Sequence, residues 1–277
     1  MAKNIISYIL SFIMVALIIA IVAVSFLQNK VLNEDYWKMQ MEQNNYYEKL
    51  EDTVNDGFEN YIMQSGMDSS VFEGIYDLDK VKENTNSIVH AILNNEEFKI
   101  DTSTIREKLD NNIRNYIKDN KVLINKATEN QIRNFEDAIV STYTNSVSYS
   151  SSIMKSISNV IGKTKIIMQK VYVWIVTLLV IDISIVIALN IKNMRNIFKI
   201  IAVIAFSIAG LSVVGIVLEK NFLGIQSLTV LNDNVSILVQ IFVKEIYEIL
   251  YITTAVGTAL GVIFSVICGN KTKNIAN

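Results

Sequence analysis

Residues 171–191 read VYVWIVTLLVIDISIVIALNI, an unbroken apolar run with a single acidic residue, Asp182, near its middle. A helix needs about 20 apolar residues to cross the hydrocarbon core of a bilayer. Three further runs meet that length: residues 5–27, 200–218 and 249–268. The chain of 277 residues is 51% hydrophobic and has a positive mean hydropathy, too apolar for an ordinary water-soluble domain of its size. The expected fold is therefore an all-α integral membrane protein with four transmembrane helices at 5–27, 171–191, 200–218 and 249–268. Ala23-Val24-Ser25 resembles a signal-peptidase site. The first run is longer than the roughly 7–15 apolar residues of a signal peptide, so it is expected to stay as an anchor.

Charge sets the expected orientation. The short segments 1–4, 192–199 and 269–277 hold Lys3, Lys192, Arg195, Lys199, Lys271 and Lys273, with no Asp or Glu. The segments 28–170 and 219–248 hold the other 19 Lys and Arg together with 26 Asp and Glu. Short basic segments remain in the cytosol. Both termini and the 192–199 loop are thus expected inside, with residues 28–170 and 219–248 outside. The excess of Lys over Arg and the abundance of Asn and Ile fit an AT-rich bacterial genome, which makes a bacterial plasma membrane the expected location.

Residues 28–170 read as helix throughout, an extracytoplasmic bundle inserted between the first and second spans. Residues 35–65 place Tyr47, Leu50, Val54, Phe58 and Tyr61 on one helical face, and Gly66 is positioned to end that helix. Asp77 or Asp79 can cap a second helix with Val81, Ile88 and Ile92 inward. Asp101 or Thr102 can cap a third with Ile105, Leu109, Ile113 and Tyr116 inward. A fourth begins near Thr128, uses Ile132, Phe135 and Ile139, and is expected to run on into the second span. Together these predict a four-helix bundle on a stalk. Eight serines within 141–158 suggest close packing of small side chains or a joint above the membrane. Val235, Leu238, Val239, Phe242 and Ile246 give the second outer segment an amphipathic stretch that leads into the fourth span. The chain has no proline, which suits long unbroken helices.

Asp182 is the most informative single residue. A charged carboxylate at the bilayer centre costs at least about 2.5 kcal/mol, and no Lys or Arg lies in the other spans to offset it. Ser207, Ser212 and Thr253 are candidate hydrogen-bond partners, a basic residue of another subunit is a second possibility, and a polar pathway a third. Thr253, Gly257, Gly261 and Ser265 form a small-residue stripe on the fourth span, suited to close packing of helices within the chain or between copies. Tyr36, Trp37, Tyr172 and Trp174 sit where aromatic rings anchor helices at headgroup level. Tyr46 and Tyr47 lie too far beyond the first span for that role and are expected in the bundle core.

Catalytic patterns are missing. Gly162-Lys163-Thr164 lacks the upstream glycine of a phosphate loop, since Ile157 stands there. His90 is the only histidine and has no nucleophile motif around it, and an intramembrane aspartyl protease needs two acids where this chain has one. One cysteine, Cys268, precludes an intrachain disulfide and, with one histidine, a standard zinc site. No cofactor is expected, and the mildly acidic outer segments carry no basic patch for nucleic acid. In topology alone the chain resembles permeases that work with an ABC ATPase, with both ends inside and a large domain after the first span. That resemblance implies a transport role. The middle cytosolic loop, residues 192–199, is short for gripping an ATPase. The leading expectation is a non-catalytic membrane protein whose outer bundle binds a partner and whose spans contact lipid and assemble with other subunits or copies. The alternatives are a transporter or channel component with Asp182 on a polar path, and a signal or mechanical coupler acting through a cytosolic partner.

Overall fold

The computed structural model describes residues 2–121, 126–148, 151–220 and 233–273. Among these, every regular element is helical: α1 (Ala2–Phe26), α2 (Glu34–Gln43), α3 (Tyr46–Ser65), α4 (Leu78–Asn94), α5 (Ser103–Asp119), α6 (Lys126–Val147), α7 (Ser151–Asn190), α8 (Met194–Leu218) and α9 (Asp233–Lys273). A π-helical turn, Leu27–Val31, extends α1, and a 3-10 turn, Ser69–Phe72, lies between α3 and α4. Four stretches are long and apolar enough to cross a membrane: Lys3–Val31, Ser158–Asn190, Met194–Leu218 and Ile237–Gly269. The chain divides into two compact units. One comprises Met1–Asn29 with Ile166–Asn277, and the other Lys30–Lys165.

The Lys30–Lys165 unit is built from amphipathic helices whose apolar faces meet. Tyr47, Leu50, Val54 and Phe58 form the buried face of α3, at the three- and four-residue steps that keep side chains on one side of a helix. Ile105, Leu109, Ile113 and Ile117 do the same on α5, so the face closes on Ile117 and Tyr116 is only half-buried. Val81 and Ile88 of α4 and Ile132, Ile139 and Tyr143 of α6 complete the core. Tyr46 and Tyr47 are both within it. Some of the polar groups inside are paired: Asn84 Nδ2 donates to Tyr143 Oη at 2.9 Å, and Tyr47 Oη donates to Asn86 at 2.7 Å.

Helix ends follow local chemistry. Gly66 ends α3 at φ 67°, where a side chain would be strained. Asp77 accepts from the Lys80 amide at 2.8 Å and caps α4. Thr102 occupies the cap position of α5, but the Asp101 carboxylate receives the Ser103 amide at 3.0 Å.

Two of the expected helices are broken. The segment 35–65 is interrupted at Asn44 and Asn45, where Asn45 takes a left-handed conformation at φ 53°. Asparagine tolerates that region, and the Asn44 side-chain amide donates to the Gln40 carbonyl at 2.8 Å, satisfying an end group of α2. The fourth bundle helix does not run unbroken into the span. It ends at Val147, where Ser148 Oγ bonds back to the Thr144 carbonyl at 2.8 Å, and α7 starts anew at Ser151. The unit thus holds α2 to α6 and the start of α7 rather than four helices. Of the serine-rich segment, residues 149–150 and the side chains of 151–157 lie outside the described residues.

In the other unit, α8 lies along α9, and α1 packs on α8. Met14 and Val15 of α1, Val186 of α7 and Ile200, Ile204 and Ile208 of α8 form its buried core, with Leu10, Ile18 and Leu179 at the margin. α9 takes the amphipathic segment and the fourth apolar run in one helix, while residues 221–232 and the Val235 side chain lie outside the described residues. Large apolar side chains face outward along every span, among them Phe12, Val173, Val213 and Val256.

Candidate functional site

The candidate site grows from one face of α7. Its buried residues in the span are Asp182, Val186 and Asn190, with Leu179 partly covered, while the residues between them are mostly exposed. Steps of three and four put all four on one stripe, and that stripe meets α1 and α8. Asp182 is only 5% exposed, so its side chain is covered by the chain's own helices. Both carboxyl oxygens are buried without a hydrogen-bond partner among the described residues.

The hydroxyls suggested by the sequence do not serve it. Ser212 donates to the Ile208 carbonyl at 3.0 Å, and Thr253 donates to the Ile249 carbonyl at 2.5 Å. A Ser or Thr inside a helix has its own i−4 carbonyl always within reach, and these two take it. Ser207 is half-buried on α8.

Sequence reasoning missed a second polar group at the end of the same stripe. Asn190 Nδ2 donates to Ser7 Oγ at 2.9 Å and to the Val186 carbonyl at 2.9 Å, while Asn196 Nδ2 donates to Asn190 Oδ1. Ser7 Oγ donates to the Lys3 carbonyl at 2.9 Å, and Ser11 Oγ to the Ser7 carbonyl at 2.6 Å. Ser7, Ser11 and Asn190 are all buried. The signal was available: Ser7 and Ser11 stand one turn apart in an otherwise apolar run.

The small-residue stripe packs within the chain. A Cβ on Gly257 would lie 2.8 Å from the Ala205 carbonyl oxygen and 3.1 Å from Ala209 Cβ, and one on Gly261 would lie 2.8 Å from the Phe206 ring. Their missing side chains let α8 and α9 approach closely. Thr253 is half-buried beside this seam, but Ser265 is exposed and belongs to the outward face. Four-residue steps drift around a helix of 3.6 residues per turn, so the seam continues through Phe264 and Cys268 instead. Phe264 stacks on Phe198 with centroids 5.9 Å apart, and Cys268 Sγ donates to the Arg195 carbonyl at 3.6 Å.

The four aromatic anchors divide. Tyr36 is buried inside the Lys30–Lys165 unit, edge-on to Trp37 and under Lys30, so its ring is not offered to headgroups. Trp37 is half-buried and donates Nε1 to the Val31 carbonyl at 2.8 Å. Tyr172 is half-buried, and Trp174 is 69% exposed on α7. Lys192 is exposed at the turn between α7 and α8, and at the start of α8 Arg195 is half-buried and Lys199 exposed, while the side chains of Lys271 and Lys273 lie outside the described residues.

Among the described residues the bundle offers a polar cleft of about 690 Å³, walled by Asp68, Ser70, Asn112, Tyr116 and Asp119 among others. Its amides and carboxylates suit hydrogen bonding to a polar or cationic group, although Asn112 Nδ2 is already engaged by the Val71 and Glu73 carbonyls at 3.1 Å each. His90 lies half exposed in a second cleft, of about 560 Å³, with Nδ1 2.7 Å from Glu34 in the same lining. The described residues hold no group of three or more His, Cys, Asp or Glu arranged for a metal ion.

No family model, curated protein or solved structure matches the chain.

Proposed function

We propose that the chain is a non-catalytic, four-span protein of a bacterial plasma membrane, with both termini in the cytosol and residues 28–170 outside, where the bundle binds a partner. The observation that carries this reading is the charge pattern: the segments 1–4, 192–199 and 269–277 bear only positive charge, while every acid but Asp182 belongs to the other side. The bundle supports it with an apolar core and an ion-paired surface suited to water. Arg106 bridges to Asp137 at 2.6 Å and Arg114 to Glu129 at 3.0 Å.

Topology is tested on intact cells with a membrane-impermeant maleimide. Cysteines are placed singly in a Cys268→Ser background. Ser70→Cys should label without permeabilisation and Lys192→Cys only after it; the reverse pattern would refute the orientation. Partner binding is tested by photocrosslinking in living cells from Asn115, beside the polar cleft. A single discrete adduct supports the reading, and none from any cleft position counts against it.

A second reading is transport, with Asp182 on a polar path. What favours it is the burial of that side chain on the face of α7 whose Leu179 and Val186 pack with α1 and α8. Flux in liposomes that survives Asp182→Asn unchanged would remove it.

A further inference from the structure

Two contacts at one end of α7 fix the register of the helices around Asp182. Asn190 bonds Ser7 of α1, and Asn196 at the start of α8 bonds Asn190. Both neighbours run antiparallel to α7. Asp182, two turns back from Asn190 and about 12 Å along the axis, is therefore level with Val15 on α1 and Ile204 on α8. The buried cluster of Met14, Val15, Val186, Ile204 and Ile208 agrees with that register. Ser11 stands halfway, about one turn, or ~6 Å, from the level of the carboxyl.

Neither α1, α7 nor α8 supplies a counter-charge at that depth. Between Lys3 and Lys30, α1 carries only Tyr8 as a titratable group, and Tyr8 is exposed. Between Lys199 and Glu219, α8 carries none. On α7 itself the nearest titratable group is Tyr172, almost three turns away, and Cys268 of α9 is engaged at the Arg195 end. Neither oxygen of this enclosed carboxyl is hydrogen-bonded among the described residues, and in such a place an unpaired charge is far costlier than a bound proton.

On its Asn190 side the same interface is lined by polar groups. Asn196, Asn190, Ser7 and Ser11 follow one another from the end of α7 inward. Each hydroxyl that donates to a backbone carbonyl keeps lone pairs able to accept. We propose that Asp182 is a membrane-embedded proton-binding site, loaded and emptied from the Asn190–Asn196 end along Ser7 and Ser11 of α1. The proposal deepens the transport reading and rests on it, naming the proton as the species bound. Only an O–H bond forms and breaks: a carboxylate oxygen takes the proton from water at that end and returns it there.

The test is infrared difference spectroscopy on the full chain in liposomes. At neutral pH the wild type should show a protonated-carboxyl C=O band that Asp182→Asn loses and that Asp182→Glu retains at a shifted frequency. Transfer into D2O should shift the wild-type band. Ser11→Val should slow that shift several-fold, and Ser11→Ala, which adds no bulk, should slow it as well. The proposal is overturned if no Asp182-dependent acid band exists at neutral pH, if the band never exchanges with D2O, if both Ser11 variants exchange at the wild-type rate, or if sodium ions abolish the band. Flux is measured in the same liposomes. An exchanging band without flux removes the transport reading and keeps the proton site. Asp182-dependent flux without the band removes the proton site and keeps transport.

Discussion

The Lys30–Lys165 bundle and the four-span unit are both all-helical, yet they sort their side chains in opposite ways. In the bundle, Leu50, Val54, Ile105, Leu109 and Ile113 are inside and the ion pairs outside. In the spans, Phe12, Leu178, Val213 and Val256 face outward, while Ser7, Ser11, Asp182 and Asn190 are buried. Water drives the first arrangement, since burying apolar area is its main source of stability. In a lipid-like surrounding that force between helices vanishes, and close approach through glycine, with polar groups turned inward, takes its place. The helix is common to both units; the solvent decides what it hides.

The comparison is most exposed to failure at the bundle core. Leu109→Ala, at a fully buried position of α5, should destabilise the bundle by about 2–5 kcal/mol. Hydrogen exchange on the detergent-solubilised chain should show lost protection in α3 to α6 with the spans unchanged. A loss below about 1 kcal/mol would mean that the bundle does not depend on its apolar core.

Next in size is the glycine seam. Gly257→Ala sets a Cβ 2.8 Å from a backbone carbonyl that cannot swing aside, and should cost about 1–3 kcal/mol of helix association. Gly261→Ala meets only the Phe206 ring, which can rotate, and should cost less. Thermal unfolding in detergent reads both, and the reverse order would contradict the seam described here.

A smaller effect is expected at the α4 cap. Asp77→Ala removes the acceptor for the Lys80 amide and should cost about 1 kcal/mol, read as a lower denaturation midpoint of the bundle.

Acid should act on the bundle through Asp101. The Ser103 hydroxyl, the Ser103 amide and Lys80, in that order, hold its folded carboxyl down to about 2, against an ordinary 3.8. A lowered carboxylate contributes stability that is complete above the ordinary value and lost as pH falls toward 2. Asp101→Asn should flatten that part of the acid-unfolding curve, and an unchanged curve would show that the contacts carry no weight. The site is fully exposed, so the change is modest. Smallest of all is Leu178→Ala on the outward face of α7, expected within about 0.5 kcal/mol in detergent. A large loss there would contradict the outward placement of Leu178.

The spans were legible because one property, about 20 apolar residues in a row, decides them. Gly66 and Asp77 were legible because left-handed backbone and exposed helix amides each favour few residue types. The break at Asn44 and Asn45 was not, since no glycine marks it and asparagine permits the turn without demanding it. Around Asp182 the depth was readable but the neighbours were not. Ser212 and Thr253 lie in adjoining spans, yet their hydroxyls bond their own helices, a choice that depends on rotamer and not on residue type. The polar file through Ser7, Ser11 and Asn190 needed the helix register, which a single sequence does not carry.

The enclosure of Asp182 has a consequence for the order in which the chain is made. The apolar cluster on its face of α7 comes partly from α1, synthesised first, and partly from Ile200, Ile204 and Ile208 of α8, still untranslated when α7 emerges from the ribosome. During insertion that cluster is incomplete. The membrane integration of α7 should therefore depend on residues that precede it by more than a hundred positions, and a chain truncated before α8 should retain α7 in the bilayer less efficiently than the whole protein does.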